Sequence, residues 1–434
     1  MKVSSMASPI ASITPGSGRA EVRGWVHEVR DLGGLTFCLV RDRTGIVQVT
    51  VNRKKAPAPV LEALSCISRE SVVKVGGTVK AIGKAPGGRE IIPDRFEILA
   101  PAGSPLPLDV VEKVPAELDT RLDSRFLDLR RPRVAAVFII RSAVMGAVWE
   151  FLSSRGFVNI ATPKLVAAAT EGGTDLFPVA YFEKEAFLNQ SPQLYKQIMM
   201  AAGFERVFEI GPIFRAEEHN TTKHLNEATS IDVEVSFADD REVMDLLEDL
   251  IVSVYERVAA TCKDPLSWLD LTLEMPEKPF PRLAYRDAIG IAVDRTGEPL
   301  KFGDDFGTSA EKALGEEMGV HYFIVDWPTA IKPYYAMPRE DDPELCRAFD
   351  LMHPRMELAS GSQRIHQHDL LVHQIRSKGL SADSFEFYLR PFRYGMPPHA
   401  GWGLGADRLV MTMLDLSNIR EAVIFPRDRH RLVP

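Results

Sequence analysis

Residues 210–237 of this chain read IGPIFRAEEHNTTKHLNEATSIDVEVSF, and the order of residue types predicts a strand, a polar loop and a second strand. Arg215 follows an apolar pair at the end of the first strand, and Glu217 lies two residues further on. An arginine at a strand end can bind a phosphate or carboxylate through two parallel hydrogen bonds. We interpret the stretch as part of a nucleotide site with its metal. The alternative is an exposed hairpin whose charges are solvated.

A second stretch, residues 401–411, reads GWGLGADRLVM and combines a glycine-rich turn with the start of a helix. Glycines let the backbone approach a ligand closely, and Arg408 lies in the first turn of the predicted helix. Such a turn alone is a weak signal, because it often only caps a helix. With Arg215 it predicts that two distant arginines converge on one triphosphate.

FRAEE and KHLNE in the first stretch, and GLGADR in the second, resemble motifs 2 and 3 of class II aminoacyl-tRNA synthetases. The resemblance extends from Gly24-Trp25 to the terminal FPRDRHRLVP, and the surrounding residues are similar to aspartyl-tRNA synthetases of the archaeal type. It implies ATP-dependent attachment of L-aspartate to tRNA through an aspartyl-adenylate. It also implies an α+β fold, in which an N-terminal OB-fold barrel precedes a domain built on a mostly antiparallel sheet flanked by helices.

The composition is that of an ordinary soluble chain, with 45% hydrophobic and 26% charged residues in 434, enough for two or three domains. The longest apolar stretches, such as residues 134–140, are well short of the roughly 18 residues of a membrane span. The first eighteen residues carry one charge and no apolar block, a composition that does not favour a signal or transit peptide. We therefore expect a cytoplasmic protein. The four cysteines lack any paired spacing, so we expect them in the core rather than in a zinc site or disulfides.

The predicted domains are an OB barrel over residues 1–105, a hinge over 106–132 and a catalytic domain over 133–434. Residues 1–105 carry a net charge of +6 although the whole chain carries -8, so nucleic acid is expected at this end. Bases can stack on aromatic side chains beside a basic rim. The candidates on the barrel are Trp25, His27, Arg30, Phe37 and Lys84, with burial in the barrel core as the alternative for the two aromatic residues.

Two barrel positions bear on the choice of tRNA. Members of the resembling family that are restricted to tRNA(Asp) carry tryptophan where this chain has His27 and lysine where it has Pro86. The resemblance therefore implies a relaxed enzyme that charges both tRNA(Asp) and tRNA(Asn), because proline donates no hydrogen bond that could select one anticodon base. A strictly tRNA(Asp)-specific enzyme is the alternative, since proline is also an ordinary turn residue. A relaxed enzyme implies a partner amidotransferase for Asp-tRNA(Asn).

Residues 134–157 predict a long helix that stops at Gly156, and VNIATPKLV predicts a strand after it. This pair resembles motif 1, which implies a homodimer. Further along, Asp350 and Glu357 are expected on neighbouring strands or on one hairpin, and paired carboxylates near phosphates hold Mg²⁺. A zinc cluster of His366, His368 and His373 is the alternative, but no cysteine or third spaced ligand accompanies them.

The resemblance also implies a role for each site residue. Arg215 would neutralise the α-phosphate and the α-carboxylate, Arg408 and His224 would hold the outer phosphates, and Glu217 would read the adenine amino group. The implied catalytic residues are Arg215, Arg408 and Glu357, and the implied metal ligands are Asp350, Glu357 and Ser360. The residues implied to bind aspartate are Glu171, Gln193, Lys196, Arg215, Ser360 and Arg364. The residues implied to bind ATP are Arg215, Ala216, Glu217, Lys223, His224, Leu225, Glu357, Gly405, Ala406, Asp407 and Arg408.

Lys196 and Arg364 are expected to clamp the substrate's β-carboxylate and so to disfavour an asparaginyl-tRNA synthetase, the nearest alternative. Leaving two buried cations unpaired would cost on the order of 3–5 kcal/mol. In one respect the chain departs from the pattern, because Ala228 follows Glu227 where many class II enzymes place an aromatic residue that stacks on adenine. A binding-only protein with a degenerate catalytic half and a standalone amide-forming ligase are further alternatives. The intact charged residues and the barrel disfavour them.

Overall fold

The computed structural model describes residues 8–111, 114–167, 176–218 and 221–434. The chain divides into two compact units, Met1–Arg131 and Pro132–Pro434. Three of the cysteines are buried as expected, but Cys66 is exposed directly after a short helix.

Five strands of the first unit's described part close into a barrel in the order β1-β2-β3-β5-β4, which confirms the predicted OB fold. The strands are β1 (Gly18–Asp31), β2 (Leu35–Asp42), β3 (Gly45–Asn52), β4 (Val72–Ala81) and β5 (Arg89–Ala100), with helix α1 (Ala58–Ser65) between β3 and β4. Alternate residues point inward, so Val22, Val26 and Cys38 fill the core while Trp25 and Phe37 lie half-buried on the outside. The alternative of core burial for these two aromatic residues is therefore excluded.

Helices α2 (Leu118–Asp123) and α3 (Arg125–Asp128) follow the barrel and are tied to it by a buried carboxylate. Glu70 accepts a hydrogen bond from Arg41 of β2 at 2.9 Å and from Arg130, just after α3, at 2.8 Å. The Arg130 guanidinium also lies over the ring of Trp25, 5.3 Å from its centroid. Two cations therefore neutralise one buried carboxylate and fix these helices on the barrel wall.

The second unit is built on an eight-stranded sheet in its described residues, ordered β12-β13-β14-β15-β16-β11-β10-β6. All neighbours from β13 to β10 run antiparallel, and the two outermost pairs are parallel. The strands are β6 (Val158–Asn159), β10 (Arg206–Phe214), β11 (Glu227–Ser236), β12 (Arg282–Ala284), β13 (Tyr322–Pro328), β14 (Leu345–His353), β15 (Met356–Arg364) and β16 (His399–Gly405), and a smaller sheet holds β7 (Leu165–Val166), β8 (Pro178–Tyr181) and β9 (Lys184–Leu188). The mostly antiparallel sheet confirms the predicted fold class.

Helices flank this sheet, and one long apolar cluster fills the space between them. They are α4 (Pro132–Ser154), α5 (Gln193–Ala201), α6 (Asp240–Thr261), α7 (Lys263–Leu269), α8 (Tyr285–Thr296), α9 (Thr308–Met318), α10 (His368–Ser377), α11 (Glu386–Leu389) and α12 (Ala406–Met413). A capping box at Asp239 and Glu242 begins α6. The core side chains of α4 and α6 pack together beneath β11 and β16.

Two sequence predictions differ from the structure. The predicted strand after α4 is reduced to the two-residue strands β6 and β7, because Pro163 interrupts the ladder. The glycine-rich stretch before α12 is a central strand, not a turn. Close packing requires glycine at position 401, since a Cβ there would lie 2.2 Å from the Val233 carbonyl oxygen of β11.

Helix α4 is long and apolar enough to cross a membrane by length and composition, with a mean hydropathy of 1.7 over 18 residues. The sequence analysis missed this property because Arg141 interrupts the apolar run. Within the structure the buried side chains of α4 belong to the core, and the Arg141 guanidinium makes an ion pair inside the unit. These contacts are those of a core helix.

Candidate active site

One cavity of about 310 Å³ opens on the face of the large sheet that α4 and α6 do not cover. Its lining brings together most of the predicted site residues from five segments of the chain. They are Gln193, Arg215, Glu217, Lys223, His224, Leu225, Glu357, Ser360, Arg364, Gly405, Asp407 and Arg408. Ala216, Lys196, Asp350 and Ala406 are not among the lining residues, and Glu171 lies outside the described residues.

The two decisive stretches meet because they share a neighbour in the sheet. β11 pairs with β10 on one side and with β16 on the other, so the loop after β10 and the start of α12 lie side by side. Arg215 and Arg408 consequently line the same cavity. The two arginines thus share one cavity, and their convergence on a triphosphate stays a prediction.

The nucleotide end of the cavity, defined here by Arg215, Glu217, Lys223, His224 and Arg408, is open. Among the described residues the Arg215 guanidinium makes no hydrogen bond or ion pair, and its side chain is exposed. The Arg408 guanidinium donates to the Glu357 carbonyl oxygen at 3.1 Å, and its nearest approach to the Glu357 carboxylate is 3.9 Å. Cations held this loosely leave room for an anionic ligand between them.

His224 lies half-buried among these cations, with Nδ1 2.6 Å from the Thr221 hydroxyl. Burial lowers the pKa of His224, and the charges of Arg408, Arg215 and Lys223 lower it further, against the opposing charge of Glu217. The ring is therefore neutral at physiological pH, and it can stack on or hydrogen-bond to a ligand without adding charge.

Asp407 anchors α12 rather than offering a free carboxylate. It accepts from Arg141 of α4 at 2.6 Å and from the backbone N–H of Thr229 on β11 at 2.8 Å. Both carboxylate oxygens are therefore used inside the chain. The sequence analysis did not single out Arg141, which is 266 residues away from its partner.

The amino-acid end of the cavity is lined by Gln193, Asp232 and Arg364, with Lys196 and Glu234 directly behind its wall, and all five residues are buried. Arg364 is only 3% exposed, and its Nε donates to Glu234 at 2.9 Å. Nη1 donates to the Ser362 hydroxyl at 2.8 Å, while Nη2 lies 3.3 Å from both Glu234 and the Gln193 side-chain oxygen. Since a guanidinium has five N–H groups, one Nη1 hydrogen has no partner among the described residues, and the Arg364 side chain lines the cavity.

Lys196 lies behind the cavity wall, 1% exposed, and not in it. Its ammonium donates to Asp232 at 3.1 Å and to the carbonyl oxygens of Val233 and Trp402, and lies 3.4 Å from Glu234. Because both cations have partners inside the chain, the premise that they stand unpaired without the substrate's β-carboxylate does not hold, whereas the clamp itself stays a prediction. Although burial alone would raise it, Arg364 and Lys196 hold the pKa of Glu234 below its usual value.

Asp232 and Glu234 escaped the sequence analysis as site residues although their strand was predicted. They alternate along β11 with Ile231 and Val233, which face the core. This alternation could have predicted both as site residues, because it places every second residue of β11 on the same face of the sheet as Arg215.

The predicted metal ligands lie on the β14–β15 hairpin, where Asp350 is directly opposite Ser360 and Glu357 is the second residue of β15. Buried Asp350 has one carboxylate oxygen bonded to Lys332 at 2.5 Å, and the other has no hydrogen-bond partner in the described residues. An orphaned carboxylate oxygen beside a serine hydroxyl and a second carboxylate suits Mg²⁺, which prefers oxygen ligands. The described residues hold no group of three or more His, Cys, Asp and Glu side chains arranged for a metal.

On the barrel, His27 and Pro86 lie near opposite ends of β4. Trp25, two residues before His27, is opposite Val72 at the start of that strand, whereas exposed Pro86 follows its end. His27 Nδ1 lies 2.7 Å from the Arg41 guanidinium and therefore accepts its hydrogen, so Nε2 carries the proton of the neutral ring. Burial and Arg41 lower the pKa of His27.

Comparisons with known proteins agree with this architecture. Residues 117–429 match the family of class II tRNA synthetases (D, K and N), and residues 20–99 match the OB-fold nucleic acid binding domain. The aspartate–tRNA(Asp/Asn) ligase of Methanoculleus marisnigri is 70% identical over 99% of this chain and 100% of the relative, and that of Methanospirillum hungatei is 68% identical over the same shares.

Solved structures are similar over almost the whole chain. Asparaginyl-tRNA synthetase of Pyrococcus horikoshii with asparaginyl-adenylate has a TM-score of 0.93 at 33% identity, covering 99% of this chain and 100% of that one. Aspartyl tRNA synthetase of Entamoeba histolytica has a TM-score of 0.87 at 32% identity, covering 99% and 93%. The chain belongs to the class II tRNA synthetases for aspartate, lysine and asparagine, and it is an aminoacyl-tRNA ligase.

Proposed function

We propose that this chain activates L-aspartate with ATP and transfers it to both tRNA(Asp) and tRNA(Asn). The observation that carries the amino-acid assignment is Arg364, a buried guanidinium that lines the cavity and keeps one N–H group without a partner among the described residues. The nucleotide assignment rests on Arg215 and Arg408, which line the opposite end of the same cavity.

In the first step, an α-carboxylate oxygen of aspartate attacks the α-phosphorus of ATP, and pyrophosphate leaves with the electrons of the broken bond. The chain supplies no covalent nucleophile, so its contribution is positioning and charge neutralisation. The Arg215 guanidinium has no partner among the described residues, so it can move onto the α-phosphate and stabilise the negative charge that develops there. Arg408 and neutral His224 hold the outer phosphates, and Glu217 accepts from the adenine amino group.

Magnesium is the metal we assign to Asp350, Glu357 and Ser360; when bound it neutralises phosphate oxygens. In the second step, a hydroxyl of the terminal ribose of tRNA attacks the carbonyl carbon of the aspartyl-adenylate, and AMP leaves. Gln193 and Ser362 hold the Arg364 fork in place through both steps.

Discrimination against asparagine follows from the kind of hydrogen bond that Arg364 makes. Two buried carboxylates, Asp232 and Glu234, neutralise the two buried cations, Arg364 and Lys196. These cations therefore do not need the ligand's carboxylate to balance their charge. The remaining Nη1 hydrogen forms a charge-assisted bond with a β-carboxylate but an ordinary one with an amide oxygen. That difference is on the order of 1.4–2 kcal/mol, or roughly tenfold to thirtyfold.

ATP–pyrophosphate exchange with each amino acid tests the assignment. We expect exchange with aspartate, and a kcat/KM at least roughly tenfold lower with asparagine. Exchange that prefers asparagine would select an asparaginyl-tRNA synthetase instead, and no exchange with either amino acid would indicate a binding-only protein.

The relaxed choice of tRNA rests on His27 and Pro86. Neither position offers the tryptophan ring or the lysine donor of restricted relatives, and proline has no donor at all. Transcripts of tRNA(Asp) and tRNA(Asn) charged at equal concentration provide the test. We expect rates within about tenfold of each other, and a preference above about a thousandfold for tRNA(Asp) would overturn the relaxed assignment.

The remaining assignments concern the setting of the reaction. We assign the anticodon to the barrel domain 1–105, a hinge to 106–132 and catalysis to 133–434. We also propose a homodimer, since large apolar side chains on or near α4 are exposed, among them Ile139, Trp149, Val158 and Leu165. Cytoplasmic location and a partner amidotransferase that converts Asp-tRNA(Asn) follow from the same function.

A further inference from the structure

Lys332 is a cavity residue for which no role was predicted. It lines the active-site cavity, and its ammonium donates to Asp350 Oδ2 at 2.5 Å. The same ammonium lies 3.7 Å from the centroid of the Trp327 ring. A buried carboxylate is thus neutralised by a cation that also rests on an aromatic face.

The backbone around Lys332 is fixed. Lys378 of the neighbouring segment donates to the carbonyl oxygens of Thr329 and Ala330 at 3.1 and 2.6 Å. Tyr335 and Ala336, just after Lys332, also line the cavity. The flexible part is therefore the lysine side chain itself, whose four-carbon stem allows the ammonium to move by several ångströms while its backbone stays in place.

Asp350 is at the same time the most deeply buried of the three residues assigned to magnesium. Its Oδ1 has no hydrogen-bond partner among the described residues, and its Oδ2 belongs to Lys332. A dication and an ammonium at one carboxylate repel each other, so the two cations compete for Asp350. A phosphate chain in the cavity would give the displaced ammonium a second anionic partner.

We propose that Lys332 is a resident counter-ion: it occupies Asp350 in the free enzyme and turns towards the phosphates when magnesium enters with ATP. This inference rests on the proposed function of the cavity. It makes metal binding dependent on nucleotide, because the ion alone must displace the ammonium whereas the metal–nucleotide complex offers the ammonium a new site. Lys332 is thereby a positioning residue for the metal and a contact for the phosphates.

Mn²⁺, whose free form is quantified by electron paramagnetic resonance, is the probe that tests the proposal. It is titrated into the full-length protein and into Lys332→Met and Lys332→Arg, without nucleotide. We expect Lys332→Met to bind Mn²⁺ at least roughly tenfold more tightly than the unaltered chain, because its competitor is gone. Lys332→Arg keeps the charge and should bind as the unaltered chain does.

A second titration uses a non-hydrolysable ATP analogue with Mn²⁺ present. Lys332→Met should bind the analogue at least roughly fivefold more weakly, since a phosphate contact is lost. Opposite changes in the two affinities are the signature of a shared ammonium. A purely structural lysine would not tighten Mn²⁺ binding, and Lys332→Met with unchanged or weaker affinity for Mn²⁺ overturns the proposal.

Two controls keep the outcome interpretable. Should Lys332→Met fail to fold, Lys332→Gln removes the charge while keeping a polar end, and it carries the same expectation. Aspartate-dependent pyrophosphate exchange of the unaltered chain separates the two hypotheses. Its absence would refute the proposed function, whereas normal exchange with unchanged Mn²⁺ affinities would refute only the role of Lys332.

Discussion

The two ends of the active-site cavity contain similar residues but are built in opposite ways. At the amino-acid end, Arg364 is buried and four of its N–H groups bond to the chain. At the nucleotide end, Arg215 is exposed and its guanidinium has no partner among the described residues. The amino-acid end is therefore complete before a ligand arrives, while the nucleotide end is completed by the ligand.

The difference follows from which elements carry the side chains. Arg364 and Glu234 lie on central strands of one antiparallel sheet, whose ladder fixes both positions. Arg215 lies in the loop after β10, where its backbone N–H donates to the Asn226 carbonyl oxygen and its own carbonyl oxygen accepts from the Asn226 side-chain amide. A rigid pocket suits discrimination between two nearly isosteric amino acids, and a looser one suits a flexible triphosphate.

The largest expected effect on the free energy of unfolding comes from removing the buried charge of Arg364 at the amino-acid end. Arg364→Gln should lower the free energy of unfolding by about 3–5 kcal/mol, because Glu234 is left as a buried charge with only Lys196 nearby. Urea denaturation measures the change. Arg393→Gln, which breaks an exposed pair with Glu386, is the matched control and should cost no more than about 1 kcal/mol. Equal losses in the two variants would contradict the distinction between the ends.

Removing the Arg215 side chain from the nucleotide end should lower the rate of pyrophosphate exchange without changing the free energy of unfolding. Arg215→Ala should reduce kcat/KM of aspartate-dependent pyrophosphate exchange by roughly a hundredfold to a thousandfold, the usual loss for one group that stabilises developing charge. The unfolding free energy should stay within about 0.5 kcal/mol of the unaltered chain's. Arg215→Lys should recover part of the rate. A strongly destabilised Arg215→Ala protein would show that this end is also prebuilt.

A pH experiment sharpens the comparison at the buried end. His399 faces Arg364 across the β15–β16 ladder, and burial lowers its pKa to about 4. A histidine with a depressed folded pKa stabilises the fold above pH 6.5 and loses that contribution as the pH falls towards 4. Between pH 7 and 5 this one group should cost about 2 kcal/mol. His399→Gln should lose correspondingly less stability over that interval, and an identical loss would contradict the assignment.

How far the sequence predicted these features depends on the range of the contacts. The strand–loop–strand of residues 210–237, the barrel and the Asp350–Glu357 hairpin were predicted because alternation and turn signals are local. Lys332 and Arg141 were missed because their partners are brought near only by the folded sheet. Lys196 was assigned to the cavity because helical spacing predicts which face of α5 carries the residue. It does not predict how deeply that face is buried.

The smallest effects are expected on the barrel, whose tRNA positions lie on the surface. His27→Trp and Pro86→Lys should each shift the ratio of tRNA(Asp) to tRNA(Asn) charging by about tenfold in favour of tRNA(Asp), or 1–2 kcal/mol. Because the two positions lie near opposite ends of β4, their effects should add. A double variant far from the sum would show that the two positions act on one base together.

The contrast between a prebuilt and an open end is tested most directly by a crystal structure with a non-hydrolysable aspartyl-adenylate analogue. The account predicts a β-carboxylate oxygen about 3 Å from Arg364 Nη1, with Glu234 and Lys196 unmoved, and Arg215 turned onto the phosphate. A β-carboxylate bound elsewhere, or a buried end that rearranges more than the loop carrying Arg215, would contradict it.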